Sequence, residues 1–440
     1  MNFTAKTKRF LLENSSVNQT ITKNTFWLFV GQLISRLLRA IIVIYSVRVL
    51  SIESWGAFSF SLGVVTFLTI FSDIGINALI IRQSAQEPEL KSQYLATAFF
   101  CKLGLLAMLI TSVLAILPYI TKIPEAKVII PILIFVFAFD TLRDLGAALS
   151  RAMEKMQIEA GLQIFTNFAI AALGLIFLYN LRTSQSLAIG YALGSFLGLI
   201  AASYALRSYY GNLFKNFNKN LIVPIFKTAW PFGLLSIMGI IMLNTDIIML
   251  GWLTTPSDVG YYAAAQKLIQ LLYVLPTLIS ISLFPALARI LTKSKEQAAI
   301  ILGKALTIII ILAIPIALLG VIFADFIINL VFGSAYLPAV NSFRILMLSI
   351  LIVYPSSLLG QAIFAYDRQK AFIGLVVWSA LGNVIFNFLL IPKFGIAGAA
   401  IATVIVQITT NAYLWKKVRA ISGIAIWPHL KNFLKLGAKL

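Results

Sequence analysis

Residues 25–82 read TFWLFVGQLISRLLRAIIVIYSVRVLSIESWGAFSFSLGVVTFLTIFSDIGINALIIR. Two long apolar stretches flank a short polar link from Ser51 to Trp55, and the first carries Arg36 and Arg39 inside it. At about 1.5 Å per helical residue each stretch is long enough to cross a hydrocarbon layer about 30 Å thick. Arg36 then lies roughly 16 Å from Thr25, near mid-bilayer, and Arg39, three residues on, shares its face. A guanidinium keeps its proton there. A cation at that depth costs about 3 kcal/mol even on the lenient insertion scale, so it is expected to face protein or a wet cavity and to mark a functional site. The competing reading is burial against a carboxylate or against carbonyls at a helix interface. Two arginines on one face are harder to neutralise than one.

Working outward, hydrophobic residues make up 60% of the chain and charged residues 11%, with apolar runs beyond twenty residues recurring throughout. That excludes a soluble domain of this length and also a β-barrel, whose strands are about ten residues long and alternate in polarity. The expected fold is an all-α polytopic membrane protein: twelve transmembrane helices in two pseudo-symmetric six-helix lobes around a central cavity. Its parts are a cytoplasmic N-terminal segment (1–24), an N-terminal lobe (25–206), a cytoplasmic connection (207–227), a C-terminal lobe (228–415) and a basic amphipathic tail (416–440). The second, eighth and ninth spans are expected at 56–81, 259–288 and 298–332. The tail, with Trp427, Leu430 and Phe433 among Lys431 and Lys435, reads as a helix lying on the inner leaflet.

The formal charge of +20 follows from topology, because lysine and arginine crowd into every second loop; nucleic acid is not implied. By the positive-inside rule both termini are cytoplasmic, in a cytoplasmic (plasma) membrane. The tryptophans fit an aromatic belt, with Trp55 and Trp252 at outer ends and Trp27, Trp230 and Trp415 at cytoplasmic ends. The first 24 residues lack an apolar core, so no cleaved signal peptide is expected. Cys101 is the sole cysteine and His429 the sole histidine, so no disulfide, metal cluster or cofactor is expected. No phosphate-binding glycine loop and no sizeable external loop is present, which argues against an enzyme.

The halves echo each other: Trp27 and Gly31 in the first span against Trp230 and Gly233 in the seventh, and the turn at Glu154-Lys155 against Asp367-Arg368. An even number of spans per half makes this a parallel repeat, with a substrate site expected between the halves. Within spans, Arg143, Lys267 and Arg344 join Arg36 and Arg39 as candidate substrate-binding cations. Asp140, Arg143 and Asp144 share a helix face and are able to pair among themselves. Asp246 is the leading candidate for coupling to an ion, with Asp140 and Asp144 second; hydrogen bonding of Asp246 to a neighbouring helix is the structural alternative. Lys102 and Arg48 sit near span ends, where long side chains snorkel to the interface. Asp73 and Asp325 are expected to reach water. If the inner cations face one cavity it favours an anion, and the arginine fork suits phosphate or carboxylate.

Gly31 with Arg36, Trp55-Gly56-Ala57-Phe58-Ser59, Ser72-Asp73-Ile74-Gly75-Ile76 with Arg82, and the run IPKFGIAGAAIAT at 391–403 resemble the polysaccharide-exporter branch of the multidrug/oligosaccharidyl-lipid/polysaccharide (MOP) superfamily. The resemblance implies two six-helix lobes forming a V, alternating access, and movement of polyprenyl-diphosphate-linked oligosaccharide from inner to outer leaflet. Membrane lipid, a coupling cation or proton and glycan polymerases are the expected partners, the ion because no ATP site is present to bias the direction of transport. The alternatives are a flippase for the peptidoglycan-precursor lipid, a drug or cation antiporter of the same superfamily, or a non-transporting scaffold of a polysaccharide assembly complex.

Overall fold

The computed structural model describes residues 17–291, 294–366 and 370–422. Among them every regular element is helical, and eight helices are long and apolar enough to cross a membrane. The protein is a multi-pass membrane protein. It divides into two compact units, Met1–Asn244 and Thr245–Leu440.

The first unit contains α1 (Val17–Val49), α2 (Ile52–Leu68), α3 (Ile70–Asp73), α4 (Ile76–Gln86), α5 (Lys91–Ile120), α6 (Pro124–Ala152), α7 (Met156–Leu181), α8 (Ser184–Ala205), the single turns α9 (Arg207–Tyr210) and α10 (Leu213–Asn216), and the beginning of α11 (Ile222–Leu253). Local chemistry sets several starts. Ser51 accepts from the Ser54 amide at 3.1 Å to cap α2, Pro124 opens α6, and Thr183 with Ser186 forms a capping box on α8. Helix association in lipid depends on close backbone approach rather than on the hydrophobic effect. In α8, Gly190, Gly194 and Gly198 face α7: a Cβ on Gly194 would sit 2.6 Å from Ile170 Cα. α1 crosses α7 in the same way, with Gly31 against Ala160. A compact apolar cluster joins α4, α5, α6 and α11 through Ile76, Leu95, Leu145 and Ile225.

The second unit holds the end of α11, then α12 (Pro256–Leu272), α13 (Val274–Leu291), α14 (Lys295–Ile322), α15 (Ala324–Phe332), α16 (Val340–Leu348), α17 (Ile350–Ala365) and α18 (Lys370–Ser422). α18 is two helices joined at Gly395, whose φ of 57° suits glycine. Ser379 touches Thr410 at 2.6 Å, so the two pieces fold back on each other.

Several expectations need correction. Residues 17–24, ahead of the span expected from Thr25, are helical and continuous with it. The stretch 56–81 is a broken helix, 259–288 divides at Tyr273, and 298–332 divides at Phe323. Trp55 is no belt residue: it is 1% exposed and stacks on Phe58. The turn at Asp367-Arg368 and the tail from 423 onward lie outside the described residues; 416–422 continue α18.

Candidate functional site

In the first unit, the close crossing of α1 on α7 leaves Arg36 half-buried and Arg39 exposed. Arg39 Nε donates to Asn167 Oδ1 at 2.7 Å, and Asn167 is itself anchored by donating to the Gln163 carbonyl. Asp140 on α6 and Tyr191 on α8 lie within electrostatic range of the same guanidinium. Arg36 feels Arg39 as a like charge, and among the described residues neither is ion-paired with a carboxylate.

Arg143 is different. It reaches Asp140 at 2.7 Å and Asp144 at 2.8 Å, both on its own helix, so its charge is matched where it stands. The surroundings therefore hold three cations (Arg36, Arg39, Arg143) against two carboxylates (Asp140, Asp144), an excess of one positive charge carried by α1. In the second unit, Arg344 pairs with Asp325 in the open, with side chains 40% and 61% exposed, as a surface ion pair worth about 0–1 kcal/mol. Lys267 donates to Gln270 on its own helix at 3.3 Å. Of the five nominated cations, Arg143 and Arg344 are ion-paired, whereas Arg36 and Arg39 have no paired carboxylate among the described residues.

Lys102 does not snorkel. Its side chain is 0% exposed; it meets Asp73 at 2.6 Å and donates to Asn77 Oδ1 at 2.9 Å. The reason is the break in the second span. Hydroxyls of Thr66, Thr69 and Ser72 bond back to their own helix, which bends it, and then Ile74 (φ 42°) and Gly75 (φ 84°) turn left-handed before α4 begins. The turn presents Asp73 to α5 while the α11 backbone packs upon it, with a Gly233 Cβ placed 2.6 Å from the Ile74 carbonyl carbon. Asp73 accordingly pairs rather than simply reaching water. Sequence reading missed this cluster because Lys102 lies close to the start of its span.

Asp246, 2% exposed at the end of α11, is held by four neutral groups: Tyr262 and Thr403 hydroxyls at 2.6 Å, and the Asn387 and Asn383 amides at 2.8 and 3.2 Å. Among the described residues no lysine or arginine pairs with it. The Asn387 side-chain Oδ1 is buried with no donor among the described residues. Two hydroxyls and two amide N–H groups thus donate to this carboxylate, and none of the four carries a charge. Asp246 had been singled out from sequence; Asn383 and Asn387 had not, although their spacing of four put both on one helix face.

The sequence model of a family described as "Polysaccharide biosynthesis protein" matches residues 21–291. The chain is 22% identical over 402 residues to the "Putative O-antigen transporter" of Shigella flexneri, covering 87% of this chain and 94% of that one. It is 34% identical over 164 residues to the "Probable flippase AglR" of Haloferax volcanii, covering 36% of this chain and 34% of that one. Among solved structures, it resembles "Lipid II flippase MurJ, inward closed conformation" with a TM-score of 0.69 at 17% identity, covering 89% of this chain and 87% of that one.

Proposed function

We propose that this chain, which belongs to the polysaccharide biosynthesis protein family, is a flippase carrying a polyprenyl-diphosphate-linked oligosaccharide from the inner to the outer leaflet of the cytoplasmic membrane by alternating access. The observation that supports this most directly is the pair Arg36 and Arg39, set midway along an apolar helix and carrying the one positive charge that Asp140 and Asp144 leave unmatched. A diphosphate leaving water loses solvation worth many kcal/mol unless charged donors replace it, and guanidinium forks supply such donors with fitting geometry. The polyprenyl tail needs no such site, since it stays in lipid. The relatives' names, an O-antigen transporter and a flippase, agree with this substrate class.

Transport in one direction needs a bias, and Asp246 is the group we assign to it. A carboxylate held only by neutral donors changes its net charge when a cation or proton joins it, so its occupancy can differ between two conformations. The distribution of lysine and arginine supports a reading with both termini in the cytoplasm, and glycan polymerases are the partners that would consume the product outside.

The test is reconstitution. Purified protein in liposomes should move a labelled lipid-linked oligosaccharide between leaflets. Transport of cationic dyes instead identifies a drug antiporter, selective transport of the peptidoglycan-precursor lipid identifies that substrate, and folded protein inert toward all of them identifies a scaffold.

A further inference from the structure

The segment between α8 and α11 folds back along the first turns of α5. It consists of α9, α10 and a 3-10 turn at Lys219–Leu221. Gln93, Thr97 and Phe100 follow at i, i+4 and i+7, so they share one face of α5, and the segment lies on that face. The Phe100 ring meets Phe214 and Phe217, with centroids 5.1 and 5.4 Å away. Each polar atom of Asn218 is engaged by the protein. Its amide donates to Thr97 Oγ1 at 3.1 Å, its carbonyl accepts from the same hydroxyl at 3.3 Å, Nδ2 donates to Gln93 Oε1 at 3.0 Å, and Oδ1 accepts from the Asn220 amide at 3.0 Å. Tyr210 ties the other end of the segment to α6 by donating to the Leu142 carbonyl at 3.2 Å.

These partners fix the depth of the segment. α5 is 30 residues long, about 45 Å, which matches a hydrocarbon layer with both of its headgroup layers. From the start of α5 at Lys91, Thr97 lies about 9 Å and Phe100 about 14 Å along the axis. A headgroup layer about 6 Å deep therefore puts Asn218 at the edge of the hydrocarbon, with Phe214 and Phe217 beside it. Backbone groups at that depth need protein partners, and the buried Thr97 hydroxyl supplies both. Phe214 is nonetheless 87% exposed, and Phe217 is exposed as well. Arg207, Lys215, Lys219 and Lys227 are exposed on the same segment and its junction with α11. No acidic residue occurs between Glu159 and Asp246, and among the described residues no carboxylate pairs with any of the four. Arg207 sits over the exposed Tyr204 ring, 5.5 Å from its centroid.

We propose that this segment binds an anionic phospholipid of the leaflet that the distribution of lysine and arginine assigns to the cytoplasm, with Lys215 and Lys219 on the headgroup phosphate and Phe214 and Phe217 against the acyl chains. The occupant follows from the pairing of features. Exposed rings at the edge of the hydrocarbon fit lipid chains, and lysine stems rising from that depth carry their ammonium groups to the level of the phosphates. A soluble acidic partner would meet the charges and leave the rings bare. A zwitterionic lipid would cover the rings and leave the positive charge unmatched, whereas clustered lysine and arginine beside a span attract anionic headgroups. The site lies apart from Arg36 and Arg39 on α1 and does not depend on what the protein transports.

Native mass spectrometry of the full chain in detergent, titrated with equal amounts of phosphatidylglycerol and phosphatidylcholine, should show the anionic lipid retained in preference. Lys215→Gln/Lys219→Gln should weaken that retention about 25-fold, or about fivefold for each lysine. Both side chains are exposed, so the unfolding temperature in lipid-free detergent should not change. Lys122→Gln/Lys127→Gln, which removes two exposed cations at the opposite end of the unit, should leave the preference intact. In nanodiscs, Phe214→Cys with Cys101→Ala should react with a water-soluble maleimide much more slowly than Lys122→Cys in the same background. Equal retention of the two lipids, or a preference that survives Lys215→Gln/Lys219→Gln, overturns the site. A preference lost equally in Lys122→Gln/Lys127→Gln makes it a response to net charge and overturns it too. Displacement of the lipid by inorganic pyrophosphate, at an ionic strength where chloride does not displace it, assigns the lysines to a diphosphate group and overturns the choice of a phospholipid. Labelling of Phe214→Cys as fast as Lys122→Cys places the segment in water and overturns its depth.

Discussion

Asp73 and Asp246 both sit on membrane helices, and the protein treats them in opposite ways. Asp73 meets the ammonium of Lys102 at 2.6 Å, a partner brought from another helix and removed entirely from solvent. Asp246 meets two hydroxyls and two amides, with no cation from a lysine or arginine among the described residues. A permanent counter-ion neutralises a carboxylate in every conformation and makes it structural. Neutral donors hold its geometry while leaving its charge open to an exchangeable ion. If Asp246 takes the proposed coupling role, the difference separates a brace from a switch, even though both begin as an aspartate inside an apolar run.

The largest effect on stability is therefore expected at the brace. Lys102→Met removes the ammonium but leaves Asp73 in place, and breaking a buried pair from one side costs about 3–5 kcal/mol. The low end applies, since Asp73 is 30% exposed and recovers some hydration. Thermal unfolding in detergent should show a clear drop, largely reversed by adding Asp73→Asn. A single variant as stable as wild type would erase the distinction between the two sites.

At Asp246 the same kind of deletion should cost less, because four donors share the load. Tyr262→Phe leaves a carboxylate oxygen with one hydroxyl fewer and should lower unfolding stability by about 1–3 kcal/mol. Its sharper readout is functional: the gradient response in proteoliposomes should weaken while transport without a gradient persists. A loss as large as that of Lys102→Met would show that the cage, too, is mainly structural.

The contrast explains what was legible in the sequence. A charge inside an apolar run is a local signal, so Arg36, Arg39 and Asp246 stood out, and the spacing of Asp140, Arg143 and Asp144 foretold their pairing. Helical stretches were equally plain because apolar length needs no tertiary information. The Asp73–Lys102 pair was hidden, since it depends on a turn at Ile74-Gly75 in which a β-branched residue takes φ 42°, against its own preference. Such a conformation is imposed by packing, here the backbone of α11 against Ile74. Trp55 misled for a related reason: a tryptophan near a span end reads as interfacial unless one knows which face is covered, and that depends on its neighbours. The pairing of Arg344 with Asp325 on the preceding helix was hidden as well, since it depends on how two helices meet.

The smallest effect on stability, and the largest separation between stability and activity, is expected at α1. Arg39 is exposed on its unit and makes one hydrogen bond to a neutral amide, so Arg39→Gln should shift unfolding by about 1 kcal/mol or less. Arg36, half-buried beside a like charge, should be no costlier to replace, because removing one of two repelling guanidinium groups relieves part of its own burial cost. The double substitution Arg36→Gln/Arg39→Gln should leave abundance and unfolding temperature near wild type while abolishing movement of a lipid-linked oligosaccharide in liposomes. Lysine at both positions is the discriminating control. It keeps the charge but loses the planar fork that engages phosphate oxygens in pairs, so partial transport is expected if diphosphate is the group bound. Full transport with lysine would reduce the site to a positive field. Full transport with glutamine would remove α1 from the mechanism, and a collapse in abundance would place these arginines with Lys102 among the braces.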